Sequence, residues 1–511
     1  MRRSAAVTAL VAALVLSFGL AGCVADDAPD PSPPVEEDRL PPLADPLPLA
    51  AVEDFGAVAT MNAGANCTGT LIDTGVATGP AYVLTNGHCV GDVGRPAQAT
   101  TLGEDWFGTA EFFRAEGNLD ATVTVDVTEI AYSTMRHTDT AIVRLDATLD
   151  ELDDLGVHGL PIADAEPDAG DAVVNVGVPV AGLIDDEWVL RRGECTFGAQ
   201  HTVIEFFWLW FGVWSNDCPG IRQGSSGSPL LAVDGDGAPT QIVGMINTTS
   251  WGMTAADGGA CFINRPCQVE GGTATMVEQT AYAQSVAGIG SCFDETGSFA
   301  LTGACPLPVS DIWALAGGGS FRGGDLPDST GRTPEVTLVG GEPGTVRTAL
   351  VPLGDGAACT APATYDGAPP APLTADTDAA HQDSPLAVDL PEKEGRYLLC
   401  AVRDDGYEAA ASVLFEVDRT PPLVEAGASI EDIGGGGVVV RPHLDPPEIS
   451  NVRFAWGSPG SVDCDDTASF QDFFIVPLTL TADQLPVTYC IYGMDAAGNP
   501  TPVTRIDIPA S

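Results

Sequence analysis

Residues 223–230 read QGSSGSPL, two adjacent serines bracketed by glycine and followed by a proline. Taken by itself the octet has the composition of a flexible linker. Its surroundings point elsewhere. The apolar runs DAVVNVGV (171–178) and QIVGMIN (241–247) on either side are strand-length, and GAVATM (56–61), AYVLT (81–85) and TAIVRLD (140–146) recur upstream between Gly, Asp and Asn turns. A serine in a glycine-flanked turn between strands can be a nucleophile, because the glycines let a substrate carbonyl approach backbone N–H donors with no side chain in the way.

A hydroxyl nucleophile needs a base and a group to orient that base. The stretch AYVLTNGHCV (81–90) ends an apolar strand in a turn that presents His88 beside Cys89, and a bridge from Cys89 to Cys67 in NCTGTLI (66–72) would fasten that turn. Closing such a loop stabilises by roughly 3 kcal/mol. In RHTDTAIVRLD (136–146), Asp139 directly precedes an alternating strand, where its carboxylate can take the imidazole Nδ1–H. Each residue alone also reads as an ordinary strand-end or turn residue; it is the order His, Asp, Ser within one β-rich region that joins them.

Together these segments resemble the trypsin-like (chymotrypsin-fold) serine peptidases: CTGTLI with LTNGHC the histidine region, DTAIVRL the aspartate region, QGSSGSPL with QIVGMIN the serine region. The resemblance implies an all-β, chymotrypsin-like double β-barrel with a catalytic triad of His88, Asp139 and Ser226 in the cleft between barrels. It also implies oxyanion donors at the amides of Gly224 and Ser226, protein or peptide substrates, and no cofactor or metal. Two departures go together. AVEDFGAV (51–58) stands where an IVGG-type activation sequence would, and Ser225 stands where clip-activated relatives carry Asp. Activation by zymogen clipping is therefore not expected. Gly220 falls near the position that selects Lys or Arg in trypsin, and no histidine stands around Ile246, Asn247 and Ser250 to select Glu, which leaves a neutral or apolar preference.

The start, MRRSAAVTALVAALVLSFGLAGC, reads as a secretion signal over 1–22. Leu20-Ala21-Gly22-Cys23 resembles a bacterial lipobox, which implies acylation of Cys23 and a lipid anchor at the cell envelope, each buried acyl CH₂ contributing roughly 0.8 kcal/mol. Setting Cys23 aside, twelve of the 13 cysteines form sequence-neighbouring couples: Cys67–Cys89, Cys195–Cys218, Cys261–Cys267, Cys292–Cys305, Cys359–Cys400 and Cys464–Cys490. An extracytoplasmic, oxidising compartment fits. With 21 Lys and Arg against 71 Asp and Glu, a formal charge of -50, no basic patch is available for nucleic acid.

Residues 23–50, rich in Pro and Asp, read as an extended tether, and 51–305 as the peptidase domain. Beyond it, RYLLCAVRDDGYEAAASVLFEV (396–417) and VTYCIYGMDAAGNPTPVTRIDI (487–508) echo one another: an alternating strand with a cysteine, an Asp/Gly turn, and a second strand. They resemble immunoglobulin-like β-sandwiches, at 306–418 and 419–511. The aromatic run VIEFFWLWFGVW (203–214) reads as strands buried on both faces, with a partner or substrate surface as the other reading; DGDG (234–237) reads as a hairpin turn rather than a cation loop. The rival to a peptidase is a catalytically silent binding lipoprotein on the same fold, against which three intact candidate residues stand.

Overall fold

The strand-length apolar runs of the sequence become two closed barrels. In the computed structural model, which describes residues 40–91, 100–206, 208–254, 261, 263–310, 312–375, 385–403, 410–443, 448–473 and 477–510, a short strand β1 (Asp45–Pro46) precedes the first barrel. That barrel consists of β2 (Val58–Asn62), β3 (Asn66–Leu71), β4 (Pro80–Thr85), β5 (Thr101–Phe112), β6 (Val123–Thr134) and β7 (Thr140–Thr148), closed in the order β2-β3-β4-β7-β6-β5. β6 alternates between exposed and sheltered residues at its start and is wholly buried from Ala131 to Thr134, where it runs toward the site. Cys23 and the signal segment lie outside the described residues.

The second barrel uses β8 (Ala172–Gly177), β9 (Arg191–Glu205), β10 (Trp208–Asn216), β11 (Pro229–Val233) and β12 (Pro239–Thr249). A hairpin, β13 (Cys267–Glu270) with β14 (Thr273–Met276), hangs on the end of β9, and β15 (Ala281–Gln284) completes the sheet. Because β9 pairs with both β8 and β10, the ladder β8-β9-β10-β15-β12-β11 returns to β8, and six strands close on themselves. The DGDG segment is the β11–β12 hairpin turn, with the Asp234 carboxylate taking the amides of Asp236 and Ala238.

Residues 40–50 are built into this structure. Asp45 and Pro46 pair with Arg192 and Arg191 of β9, Leu47 is 1% exposed in the first core, and the Arg222 Nε–H donates to the Pro41 carbonyl at 2.9 Å. Prolines remove donors but keep their carbonyls. Arg222 and Arg191, which reaches the Ala44 carbonyl at 3.1 Å, use the acceptors that remain.

Two β-sandwiches follow. The first is one wrapped sheet of β16 (Ile312–Gly317), β17 (Gly319–Phe321), β18 (Glu335–Gly340), β19 (Gly344–Pro352), β20 (Pro370–Ala375), β21 (Leu386–Ala387), β22 (Gly395–Val402) and β23 (Ala411–Val417) around Leu338, Val346, Leu399 and Phe415. The last stacks a three-stranded and a four-stranded sheet around Val440, Phe454, Tyr489 and Ile491. All six expected cysteine couples are bonded.

The first sandwich is not strung behind the two barrels. Ile204, Leu209, Met253 and Met276 of the second-barrel region share one buried cluster with Val351, Leu353, Tyr365, Leu398 and Val402 of the sandwich. In the aromatic run Trp210 and Val213 are core, Trp208, Phe211 and Gly212 are only half-buried, and Leu209 lies in the cluster shared with the sandwich.

Candidate active site

His88 sits in a single 3₁₀ turn, Gly87–Cys89, at the end of β4. The Cys67–Cys89 disulfide ties that turn back to β3, and a His88 ring nitrogen lies within 4.8 Å of both sulfurs, which are spent on each other. Across from it, Asp139 is fully buried at the entry to β7. Its carboxylate accepts the His88 backbone N–H at 3.0 Å through Oδ1 and faces His88 Nδ1 at 2.6 Å through Oδ2. The Asn86 amide donates to the Asp139 carbonyl at 2.9 Å, so one turn holds both the backbone and the carboxylate of the aspartate. With Nδ1 engaged, Nε2 is the ring nitrogen left for proton transfer.

Burial lowers the basicity of the His88 imidazole, but the Asp139 charge, the Asp139 hydrogen bond and the more distant charge of Glu205 outweigh it, and the net pKa is raised above the ordinary 6.5.

The octet of the sequence forms a tight turn between the two barrels. The Ser226 carbonyl takes the Thr68 N–H at 2.8 Å, next to Cys67, which brings the serine to the His88 platform. The Ser226 hydroxyl donates to the Asn247 carbonyl at 3.5 Å, a long contact that costs little to release.

Peptide geometry decides where the amides point. The Gln223 carbonyl is taken by the N–H groups of Val180 at 2.8 Å and Ala181 at 3.3 Å. In a planar trans peptide the next N–H, that of Gly224, must point the opposite way. Ser225 donates to the Arg222 carbonyl at 2.9 Å, Gly227 to Ile246 at 2.9 Å and Ser228 to Ser225 at 3.0 Å. Among the described residues, the Gly224 and Ser226 amides have no protein acceptor.

This turn demands glycine. Gly227 has φ +81°, and a Cβ there would lie 2.1 Å from the Thr68 carbonyl oxygen and 2.4 Å from Thr85 Oγ1. Gly227→Ala is therefore expected to destabilise the fold by about 3 kcal/mol or more, read by urea unfolding. Gly235→Ala in the open hairpin, where a Cβ meets nothing within 4 Å, is expected to leave the midpoint in place.

The aspartate loop is also held from the first sandwich. His137 (φ +59°) packs edge-on against Phe211, with centroids 4.9 Å apart, and its Nε2 hydrogen-bonds Ser412 Oγ of β23 at 3.1 Å. Burial and the neighbouring Arg136 hold its pKa down at about 3, so the ring is neutral. Arg136 itself donates to the Ile312 carbonyl of β16.

Sequence reasoning missed Thr68, whose hydroxyl donates to the Gly224 carbonyl at 2.9 Å and accepts the Val178 N–H at 2.9 Å, joining three segments.

Residues 67–245 match the family model described as the trypsin-like peptidase domain. No curated protein matches the chain. Among solved structures, the chain is similar to the thermostable serine protease AL20 from an extremophilic microorganism, at 13% identity over 47% of this chain and 94% of that one, with a TM-score of 0.32. It is also similar to a Glu endopeptidase, at 15% identity over 49% and 95%, TM-score 0.33. An inactivated protease paralogue of the scabies mite matches at 16% identity over 47% and 94%, TM-score 0.32.

Proposed function

We propose that this protein is a serine-type endopeptidase that acts outside the cytoplasm, held at the cell envelope by a lipid on Cys23. The observation that carries the catalytic reading is the pairing of His88 Nδ1 with a fully buried Asp139 carboxylate at 2.6 Å, beside a turn that leaves the Gly224 and Ser226 amides unspent. The envelope location rests on the sequence from Leu20 to Cys23.

In this reading Ser226 Oγ leaves the Asn247 carbonyl, gives its proton to His88 Nε2 and bonds to the scissile carbonyl carbon. The negative charge moves to the carbonyl oxygen, where the Gly224 and Ser226 amides receive it; one such donor is worth about 10²- to 10³-fold in rate. Asp139 keeps the imidazole in the required tautomer and stabilises the imidazolium. His88 then returns the proton to the leaving amine, the C–N bond breaks, and water attacks the acyl-enzyme by the same route. Arg191 and Arg222 are occupied by carbonyls of residues 41–44 and 181, which is consistent with substrate recognition that does not use their charge.

The test is the rate of labelling by a fluorophosphonate as a function of pH. His88 must be neutral to act as a base, and its pKa is raised above 6.5, so labelling is lost as pH falls through a midpoint higher than 6.5. A folded protein that does not label at any pH overturns the peptidase reading. Labelling with a midpoint below 6.5 would contradict the electrostatic account of the histidine.

A further inference from the structure

One side chain ties the Ser226 turn to residues that precede both barrels. Arg222 is half-buried, and its guanidinium forks on the Pro41 carbonyl, with Nε donating at 2.9 Å and Nη2 donating beside it, while Nη1 donates to the Ala181 carbonyl at 3.2 Å. The backbone of the same residue opens the turn: its carbonyl takes the Ser225 N–H at 2.9 Å, and its own N–H donates to Ser225 Oγ at 3.3 Å. Ala181 belongs to the segment after β8 that lies against the turn. There the Val180 and Ala181 amides donate to the Gln223 carbonyl, and a Cβ on Gly224 would stand 2.7 Å from both the Val178 oxygen and the Val180 nitrogen. Arg222 thus joins residues 40–46, 178–182 and 222–228.

The upstream segment is seated firmly enough to bear on the turn. Asp45 and Pro46 are paired to β9, the Leu47 N–H donates to the Leu190 carbonyl at 2.8 Å, and Arg191 Nη1 donates to the Ala44 carbonyl at 3.1 Å. Pro42 confines Pro41 to extended backbone, which gives the Pro41 carbonyl a fixed direction. Two glycines make room: a Cβ on Gly220 (φ +74°) would lie 2.4 Å from the Ala44 nitrogen, and one on Gly182 (φ +73°) 2.7 Å from Leu40 Cδ1. We propose that residues 40–46 are a strap that keeps the nucleophile turn in its working shape, with Arg222 as the positioning residue that transmits the hold. It acts by fixing the peptides from 222 to 225, whose orientation leaves the Gly224 and Ser226 amides unspent. A cut between 41 and 46 would then loosen the turn, whereas a cut before 40 would not. The purpose rests on the peptidase reading, but the physical content, a turn ordered by a remote segment, is measurable without catalysis.

The experiment is amide hydrogen exchange on the full chain with and without Arg222→Met, which keeps the aliphatic stem and removes the donors. The reporters are the bonded turn amides of Ser225, Gly227 and Ser228, with the Cys89 and Val90 amides of the His88 turn as reference. Losing the charge-assisted bonds is expected to speed exchange in the Ser226 turn by about tenfold or more and to leave the reference unchanged. Equal exchange in parent and variant overturns the proposal, and so does equal acceleration of both turns, which would be general loosening. Fluorophosphonate labelling of the variant, at a pH where His88 is neutral, is expected to slow by about 10- to 100-fold through misaligned oxyanion donors; an undiminished rate overturns the role at the site. If Arg222→Met does not fold, Arg222→Lys decides, because it keeps the charge but cannot fork: intermediate exchange and labelling are expected, and parental values of both overturn the proposal. A parent chain that never labels removes the peptidase reading and leaves the exchange result to judge the strap by itself.

Discussion

Ser226→Ala is expected to abolish fluorophosphonate labelling and to lower kcat/KM on a peptide substrate by about 10⁴- to 10⁶-fold, with an unchanged unfolding midpoint. The size of the effect follows from the lack of any substitute: the alanine has no lone pair to attack with, and the neighbouring hydroxyl cannot replace it. Ser225 is 2% exposed, and its Oγ accepts the Arg222 N–H at 3.3 Å inside the turn. Ser225→Ala loses that one hydrogen bond, worth about 1 kcal/mol, and retains labelling. Stability is spared in Ser226→Ala because the lost hydroxyl makes only the 3.5 Å contact to Asn247. Intact mass and peptide mapping after labelling read both variants. A fluorophosphonate adduct on Ser225, or labelling that survives Ser226→Ala, would remove Ser226 from the proposed role.

A chain ended at Val309 is expected to lose activity by at least about 10²-fold, the effect of a misplacement on the order of 1 Å in a catalytic group, and to have poor solubility. Truncation uncovers Ile204, Leu209, Met253 and Met276, which are buried against Leu398, Tyr365 and Val402. It also removes the acceptors and donors that Arg136 and His137 use on β16 and β23, three and two residues before Asp139. In the full chain, Leu398→Asp would put an unpaired charge into the shared cluster, where leaving a buried charge uncompensated costs about 3–5 kcal/mol. Calorimetry is then expected to show the peptidase region and the first sandwich moving to lower temperature together. A soluble, fully active 1–309 chain, or two independent transitions of which only one responds, would refute the coupling.

The contrast between what the sequence discloses and what it hides follows contact distance. His88 and Ser226 are legible because each sits in a turn whose glycines and flanking strands are local, and the peptidase-region cysteine couples span only 6 to 23 residues. The double barrel follows from strand-length runs with no helical period between them. By contrast, Leu209 shares its buried cluster with Leu398, and nothing in either segment names the other. The composition of 23–50 reads as tether because proline density argues against strands; what it conceals in 40–50 is that Arg222 and Arg191 need only carbonyls.

The cluster shared between β9–β10 and the first sandwich also sets a clock. Ribosomes add about 5 to 20 residues per second, so Ser412 is made roughly ten to forty seconds after Ser226. Over that interval the nucleophile exists without the surface that braces the Asp139 loop. Under the proposed function, a pair of barrels that needs residues beyond 400 to finish its Asp139 corner stays inert while the chain is being made, a safeguard written into the order of emergence and independent of any removable pro-segment.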